Sequence, residues 1–253
     1  MLESYIRKRL QEKQILLMTH IVIGYPSFDE SMRIVEEMVN AGVDLMELQI
    51  PFSEPMADGP VILHANQVSL ANGATVARCL DFAKEAANRF QIPFLFMSYY
   101  NILFKYGEDK FAAAMKERGL YGAIVPDLPP EEGEGYLSAM KKEALTPLFL
   151  YAPTTSEKRM RYIDSMAGGF IYCVARKGVT GKETEFSSDL SQYLARCRNA
   201  TDLPLAVGFG LKERADIDFL KGKAEIAVVG SQTIRLVDSD GVGAVGPFIK
   251  SLR

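Results

Sequence analysis

A chain of 253 residues suits either one (β/α)8 barrel, which typically needs about 250 residues, or two smaller domains, and its 48% apolar and 24% charged residues are ordinary for a globular protein. The net charge of −3 argues against a surface that binds nucleic acid or an anionic membrane. No apolar run approaches the roughly 18 residues that would span a membrane.

The three cysteines, Cys79, Cys173 and Cys197, are scattered along the chain and form neither a C-x-x-C pair nor a zinc-binding pattern. This usage favours a reducing compartment, and we expect a cytoplasmic protein. Residues 1–14 place apolar side chains at helical spacing among charges of both signs. That pattern predicts a surface helix and not a signal peptide.

Short apolar runs alternate with amphipathic segments along the chain, which is the pattern of a parallel α/β fold. Eight strands are predicted, at about 17–23, 44–50, 93–98, 122–126, 147–151, 170–174, 204–208 and 225–229. Helices are predicted between them, at about 28–41, 75–90, 108–118, 132–143, 156–167, 187–199 and 211–220.

Eight such repeats in about 250 residues favour a closed barrel over an open sheet. The segment 60–72 is surplus to the repeat and predicts an added helix after the second strand. We therefore expect a single-domain (β/α)8 TIM barrel over residues 1–253, with an added N-terminal helix and extra helices after strands two and eight. No linker divides the chain.

A carboxylate near the carboxyl end of the second predicted strand is the strongest candidate for chemistry. A period of two places Glu47 and Gln49 on the same face of this apolar strand as Leu45. Burying an unpaired carboxylate is costly and raises its pKa toward the range useful for proton transfer. Ser, Pro and Gly then mark a loop that brings a second carboxylate, Asp58, back over the strand end.

A structural interpretation of the same two carboxylates stays open. In that interpretation Glu47 is buried and paired with a distant Lys or Arg, and Asp58 is the N-cap of a helix that begins near Pro60.

Two glycine-bearing turns, Gly208-Phe209-Gly210 and Gly230-Ser231, follow the last two predicted strands. Phosphate groups recur at these positions in TIM barrels, because exposed backbone N–H groups and a helix N-terminus favour an anion. Either turn alone would be ordinary, but two at adjacent strand ends favour a phosphate site. No GxxxxGK[ST] or GxGxxG motif occurs, which argues against nucleoside triphosphates and dinucleotides.

Other polar and aromatic residues also fall at strand ends. Tyr99 and Asn101 follow the third strand, and Tyr172 lies near the end of the sixth, before a long loop punctuated by glycines. Asp127 follows the fourth strand and could equally be a structural residue of a turn in which Pro129 starts a helix.

The chain has two histidines, His20 and His64, and neither lies in an order that suggests a nucleophilic triad. We interpret each as a core or loop residue.

The segment ELQIPFSEPMADGP (47–60) resembles the signature ELGIPFSDPxADGP of the tryptophan synthase α-subunit family. Further matches follow in family order: THIVIGYPS (19–27), YYNILFKYG (99–107), VPDLPPEE (125–132), RKGVTG (176–181), VGFGL (207–211) and VVGS (228–231). The resemblance implies a (β/α)8 barrel that cleaves indole-3-glycerol phosphate reversibly to indole and glyceraldehyde 3-phosphate. It also implies a pyridoxal-phosphate-dependent β subunit as partner, in an α2β2 heterotetramer, and no cofactor in this chain.

Following this resemblance, we expect Glu47 to transfer the protons, Asp58 to stabilise positive charge at the indole N–H, and Tyr172 to support them. Substrate-binding residues would be His20, Met97, Tyr99, Asp127, Thr180 and Phe209, phosphate-binding residues Gly181, Gly210, Gly230 and Ser231, and partner-interface residues Glu54, Asn101 and Pro129. Thr180 would close over Asp58 only with ligand bound, because we expect the unliganded carboxylate to be well solvated.

Departures from the family pattern concern the barrel mouth and the partner contact. Gln49 and Glu54 replace a Gly and an Asp of the signature, His20 stands where the family often has an aromatic residue, and Ile102 stands where Pro is common. Two alternatives remain: a weakly catalytic partner that chiefly activates a β subunit, or another phosphate-binding TIM-barrel enzyme.

Overall fold

The computed structural model describes residues 2–174, 188–208 and 210–253, in which eight parallel strands close into one barrel. The strands are β1 (Leu16–Val22), β2 (Leu45–Gln49), β3 (Phe94–Met97), β4 (Gly122–Ile124), β5 (Thr146–Tyr151), β6 (Ile171–Val174), β7 (Leu205–Gly208) and β8 (Ile226–Val229). Each strand pairs with the next along the chain, and β8 closes on β1. The predicted (β/α)8 barrel is therefore confirmed.

Helices cover the barrel. They are α1 (Leu2–Leu10), α2 (Phe28–Asn40), α3 (Pro60–Ala71), α4 (Val76–Arg89), α5 (Tyr100–Tyr106), α6 (Glu108–Glu117), α7 (Glu134–Lys142), α8 (Glu157–Asp164), α9 (Ser188–Ala200), α10 (Arg214–Leu220), α11 (Ser231–Asp240) and α12 (Val245–Ser251). Short 3-10 helices span Pro130–Glu132 and Val242–Ala244. The added helices expected at the N-terminus, after β2 and after β8 are α1, α3 and the pair α11 and α12.

Helix α5 is absent from the sequence prediction, which places only a strand end at Tyr99 and Asn101. The N-cap of this helix, Tyr99, makes no side-chain capping bond. Instead the backbone N–H of Tyr100 donates to the Asp127 carboxylate at 2.9 Å. Because this cap comes from the loop after β4, no local start signal marks the helix.

Alternation along β2 separates the barrel interior from the layer of helices around it. Leu45 belongs to the interior cluster, whereas Met46 and Leu48 pack in the outer cluster beneath the helices. The inward face therefore carries Glu47 and Gln49 as well, close to the carboxyl end of the strand.

The opposite, N-terminal end of the barrel is closed by α1. Leu2 and Ile6 of this helix are buried in the interior cluster with Leu16 and Leu45, which begin their strands. The barrel interior is thus a packed core whose accessible end is the carboxyl end of the strands. None of the helices in the described part of the chain is long and apolar enough to cross a membrane.

Candidate active site

Glu47 lies inside the barrel with only 2% of its surface exposed. Its Oε2 atom is 3.1 Å from Nδ1 of His20. Its Oε1 atom has no hydrogen-bond partner among the described residues. A buried carboxylate with one anchored oxygen and one unengaged oxygen can exchange a proton with a ligand in the barrel mouth. The alternative in which Glu47 pairs with a Lys or Arg is wrong, because its partner is His20.

The strand register explains this pair. His20 of β1 is aligned with Glu47 of β2, so both side chains enter the barrel at the same level. Burial lowers the pKa of His20, but the hydrogen bond and negative charge of Glu47 outweigh this effect and raise the pKa above its ordinary value. Nε2 of His20 is buried and, within the described chain, unpartnered.

Asp58 is held over the strand end by two hydrogen-bond donors. Gln49 Nε2 donates to Asp58 Oδ2 at 2.7 Å. The Tyr99 hydroxyl also bonds the carboxylate and accepts the Ala57 N–H at 3.1 Å. Burial raises the pKa of Asp58 above its ordinary value, although both donors and the charge of His20 oppose this shift.

These contacts change two expectations for Asp58. The carboxylate is half-buried and hydrogen-bonded without any ligand, and not well solvated. It is not the N-cap of α3 either, since that position is Gly59 and no side chain caps the helix there. Gln49, which replaces a signature glycine, therefore has a defined role at this carboxylate.

Tyr172 of β6 approaches the two carboxylates, Glu47 and Asp58, from the opposite side of the barrel. Burial of its hydroxyl, followed by the charges of Glu47 and Asp58, raises the pKa of this phenol well above its ordinary value. The hydroxyl therefore stays protonated near neutral pH and can donate a hydrogen bond to a carboxylate or a ligand.

The position of the Tyr172 ring depends on Gly208. A Cβ atom at Gly208 would lie 2.3 Å from the Tyr172 hydroxyl oxygen and 2.6 Å from a ring carbon. Such contacts are impossible for real atoms, so any side chain at this position must displace the ring. Sequence analysis placed Gly208 in a turn of the phosphate site, whereas the structure places it at the end of β7 against Tyr172.

We expect Gly208→Ala to lower the rate of substrate turnover at least about tenfold, since a misplacement of about 1 Å can cost up to 100-fold. The measurement is kcat, with the position of Tyr172 checked by crystallography. Gly243→Ala is the matched control, because a Cβ atom at Gly243 meets nothing within 4 Å. An unchanged kcat in Gly208→Ala would show that turnover does not depend on this position of the Tyr172 ring.

The proposed phosphate-binding residues lie at adjacent strand ends. Gly208 is aligned with Val228, and Gly210 and Gly230 each come two residues after this pair along the chain. Gly230 is the N-cap of α11 and Ser231 is its first residue. Gly210 has φ +48°, a left-handed conformation that favours glycine. Backbone N–H groups at such a helix start are suited to an anion.

Three predicted site residues, Thr180, Gly181 and Phe209, lie outside the described residues. The predicted contact between Thr180 and Asp58 therefore stays a prediction.

Aromatic and apolar residues form one wall of the barrel mouth. Met97 and Tyr99 are buried in the interior cluster. Phe52 stacks on Tyr99 with ring centroids 5.2 Å apart and an interplanar angle of 23°. The buried Asn66 of α3 holds this segment by accepting the Phe52 N–H at 2.9 Å. Neither Phe52 nor Asn66 was predicted from the sequence as a site residue, although Phe52 lies within the matched signature.

Asp127 has a structural partner, the N-terminus of α5. The turn interpretation of this residue agrees with that contact, and its substrate-binding role stays a prediction. Pro129 is the N-cap of the 3-10 helix Pro130–Glu132. The helix predicted to start at Pro129 is therefore this single short turn, and α7 begins separately at Glu134.

The proposed partner-interface residues, Glu54, Asn101 and Pro129, are all exposed. Beside them the loop after β2 exposes 74% of Met56, and α5 exposes 64% of Phe104. Neither of these large apolar side chains was predicted from the sequence to belong to a site. Both side chains lie close in sequence to proposed partner-interface residues, Met56 to Glu54 and Phe104 to Asn101.

In residues 2–174, 188–208 and 210–253, no group of three His, Cys, Asp or Glu side chains is placed to hold a metal ion.

Known proteins resemble this chain over its full length. The family model described as tryptophan synthase alpha chain matches residues 6–244. The chain is 65% identical over 252 residues to the tryptophan synthase alpha chain of Desulforapulum autotrophicum and 64% identical over 253 residues to that of Syntrophotalea carbinolica, with 100% of each chain covered.

A solved structure of Mycobacterium tuberculosis tryptophan synthase matches the fold with a TM-score of 0.93 and 27% identity. The match covers 99% of this chain and 96% of that one. Because the closed barrel and the full-length matches agree, the chain belongs to the tryptophan synthase alpha chain family.

Proposed function

We propose that this protein cleaves indole-3-glycerol phosphate to indole and glyceraldehyde 3-phosphate, as a lyase of L-tryptophan biosynthesis. The observation that carries this proposal is Glu47, a buried carboxylate near the carboxyl end of β2. One of its oxygens is anchored by His20, and the other has no hydrogen-bond partner in the part of the chain that the structure describes.

Cleavage requires two proton movements and a site for positive charge. C3 of the indole ring gains a proton, the bond from C3 to the glycerol carbon breaks, and the hydroxyl on that carbon loses its proton to become the aldehyde. Glu47 serves both movements, first as acid and then as base, because its Oε1 has no hydrogen-bond partner among the described residues and is left to exchange the proton.

Asp58 stabilises the positive charge that develops at the ring nitrogen when C3 is protonated. Gln49 and Tyr99 keep its carboxylate oriented before the substrate arrives, so less reorganisation is needed during reaction. Tyr172 lies near both carboxylates and supplies a neutral hydrogen-bond donor. The indole ring would lie against Met97 and Tyr99.

The phosphate is held by backbone N–H groups at Gly210, Gly230 and Ser231, with Gly181 contributing by analogy with the family. Three observations support this assignment: the N-terminus of α11, the adjacent ends of β7 and β8, and the positive φ of Gly210.

Gly210→Val is expected to raise the KM for indole-3-glycerol phosphate about tenfold or more, since a branched side chain at φ +48° is strained and blocks close backbone approach. Steady-state kinetics measure the change, and Gly243→Val is the control because open space surrounds that glycine. A crystal soaked with glycerol 3-phosphate should show phosphate beside Gly210 and Ser231. Phosphate bound elsewhere would contradict the assignment.

A β subunit is the proposed partner, in an α2β2 heterotetramer, and pyridoxal phosphate is expected only in that partner. The exposed Met56 and Phe104, together with Glu54, Asn101 and Pro129, support a contact surface around the barrel mouth. Such a surface suits the direct transfer of an apolar product such as indole. We place this assembly in the cytoplasm.

An assay of indole release from indole-3-glycerol phosphate, with and without added β subunit, tests the proposal. Release by the isolated chain that increases with the partner supports both the reaction and the contact. If no indole is released under either condition, an increase in the β subunit's own activity on addition of this chain would favour a purely activating role. No such increase would favour another phosphate-binding enzyme.

A further inference from the structure

The pair formed by His20 and Glu47 has features that a structural role alone leaves unexplained. Both side chains are almost fully buried, with 5% and 2% of their surfaces exposed. Each nevertheless keeps one polar atom, His20 Nε2 and Glu47 Oε1, without a hydrogen bond of standard geometry in the described residues, although Gln49 lies close to His20 and Tyr172 close to Glu47. Unpartnered polar atoms inside a protein are costly, and two of them on one hydrogen-bonded pair point to a ligand.

The strand register and the hydrogen bond between the two side chains determine which oxygen of Glu47 remains available. His20 is aligned with Glu47 across the pairing of β1 and β2. Its Nδ1 is 3.1 Å from Glu47 Oε2, and a carboxylate requires Nδ1 to be the donor. Since Oε2 is engaged, Oε1 is the oxygen left for proton transfer. The imidazole therefore determines which oxygen of the carboxylate meets a substrate and prevents the carboxyl group from rotating.

We propose that His20 is a positioning residue for Glu47, which holds Oε2 through Nδ1–H so that Oε1 faces the substrate in both proton transfers. This inference rests on the proposed function of Glu47 as the acid and base. It departs from the expectation that His20 only lines the indole pocket or fills the core.

The pKa of His20 depends on the charged and polar groups that face its ring. They are Glu47 and Gln49 on β2, Asp58 on the following loop, and, through Glu47, Tyr172 on β6. On the β8 side the neighbour is uncharged, since a Cβ atom at Gly230 would lie 3.8 Å from the Cβ of His20. A donor that becomes a cation at lower pH keeps a neighbouring carboxylate ionised to lower pH.

Two substitutions separate the hydrogen bond from the bulk of the ring. His20→Leu removes the donor, and His20→Asn retains an N–H group near the position of Nδ1. We expect His20→Leu to lower kcat about tenfold or more with KM within about threefold, while His20→Asn stays within about threefold of the wild-type kcat. The acidic limb of the kcat profile should move to higher pH in His20→Leu, and less in His20→Asn, which keeps the N–H donor.

His64→Leu is the control for loss of a histidine, because His64 is exposed on α3 and takes no part in the site. Its kcat and pH profile should match the wild type. If His20→Leu retains the wild-type kcat and pH profile, or if His20→Asn is impaired as severely as His20→Leu, the positioning role is overturned.

A second measurement does not use His20→Leu and can therefore test the proposal even if that variant does not fold. With only two histidines in the chain, the ring-proton NMR titration of His20 is assigned by comparison with His64→Leu. Glu47→Gln should lower the pKa of His20, because the amide removes a negative charge from its hydrogen-bond partner. An unchanged titration would show that the pair does not form in solution.

The two hypotheses fail differently. If wild-type protein releases no indole but the His20 titration shifts in Glu47→Gln, the proposed reaction is wrong and the paired geometry stands. If indole is released and neither the titration nor the kcat of His20→Leu changes, the reaction stands and the role of His20 is wrong.

Discussion

Replacing Glu47 with glutamine is expected to lower the rate of indole release by about 100- to 10,000-fold, the range typical for loss of one acid–base group. The amide is nearly isosteric and its carbonyl oxygen can still accept the His20 Nδ1–H, so the barrel and substrate binding should be retained. It cannot donate or remove the protons that cleavage requires. The measurement is kcat in the indole assay, with circular dichroism to verify the fold.

Glu85→Gln is a matched control for this substitution. Glu85 lies on α4 with 59% of its side chain exposed, and its ion pair with Arg89 spans 3.3 Å at the surface. This control should retain wild-type activity. Lyase activity of Glu47→Gln within about threefold of the wild type would refute the assignment of Glu47.

The strand pattern was predictable because strand identity is a local property. Each predicted strand start lies within one residue of the observed one, from Leu16 in β1 to Ile226 in β8. The two-residue period also predicted that Glu47 and Gln49 share a face with Leu45, and the burial of Leu45 in the barrel interior agrees. Periodicity and turn residues carry this information without any long-range contact.

The contacts within the site were not predictable, because they depend on register between strands and on loop geometry. The pairing of His20 with Glu47 requires β1 and β2 to align at one level, which no local signal specifies. The bond from Gln49 to Asp58 likewise requires the loop to fold back over its own strand. Sequence analysis therefore identified Gln49 as a departure from the family signature but not as the partner of Asp58.

At the N-terminal end of the barrel, Asp44 is a buried carboxylate that forms ion pairs with several cationic side chains. Its side chain is fully buried. Lys13 lies 2.5 Å from Oδ1, Arg253 lies 3.0 Å from Oδ2, and the Leu17 N–H donates to Oδ2 at 3.0 Å. Arg9 adds a contact at 3.2 Å. This carboxylate joins the segment after α1, the first strand and the C-terminal residue of the chain.

Burial by itself would raise the pKa of Asp44, but the bonds from Lys13 and the Leu17 N–H and the charge of Arg253 outweigh it and lower the pKa below its ordinary value. The ionised carboxylate therefore stabilises the folded state. A depressed pKa in the folded state means that this contribution is complete above the ordinary Asp pKa of about 4 and is lost as pH falls through the lower, folded value.

Asp44→Ala is expected to destabilise the protein by about 3–5 kcal/mol, because it leaves several cations and a buried N–H without their acceptor. For a chain of this size that loss corresponds to a fall in Tm of roughly 6–20 °C. Calorimetry at pH 7 measures it. Asp81→Ala is the control, since Asp81 is 78% exposed and lies 4.0 Å from Arg118. The control should change stability by less than about 1 kcal/mol.

The pH dependence distinguishes the charge of Asp44 from its packing. The difference in Tm between wild type and Asp44→Ala should be constant from neutral pH down to about pH 5 and should shrink below about pH 4, as the wild-type carboxylate becomes protonated. Asp44→Asn keeps the volume but not the charge, so it should show the same trend. A Tm difference that does not change with pH would indicate that packing, and not the ionised carboxylate, accounts for the stability of this end of the barrel.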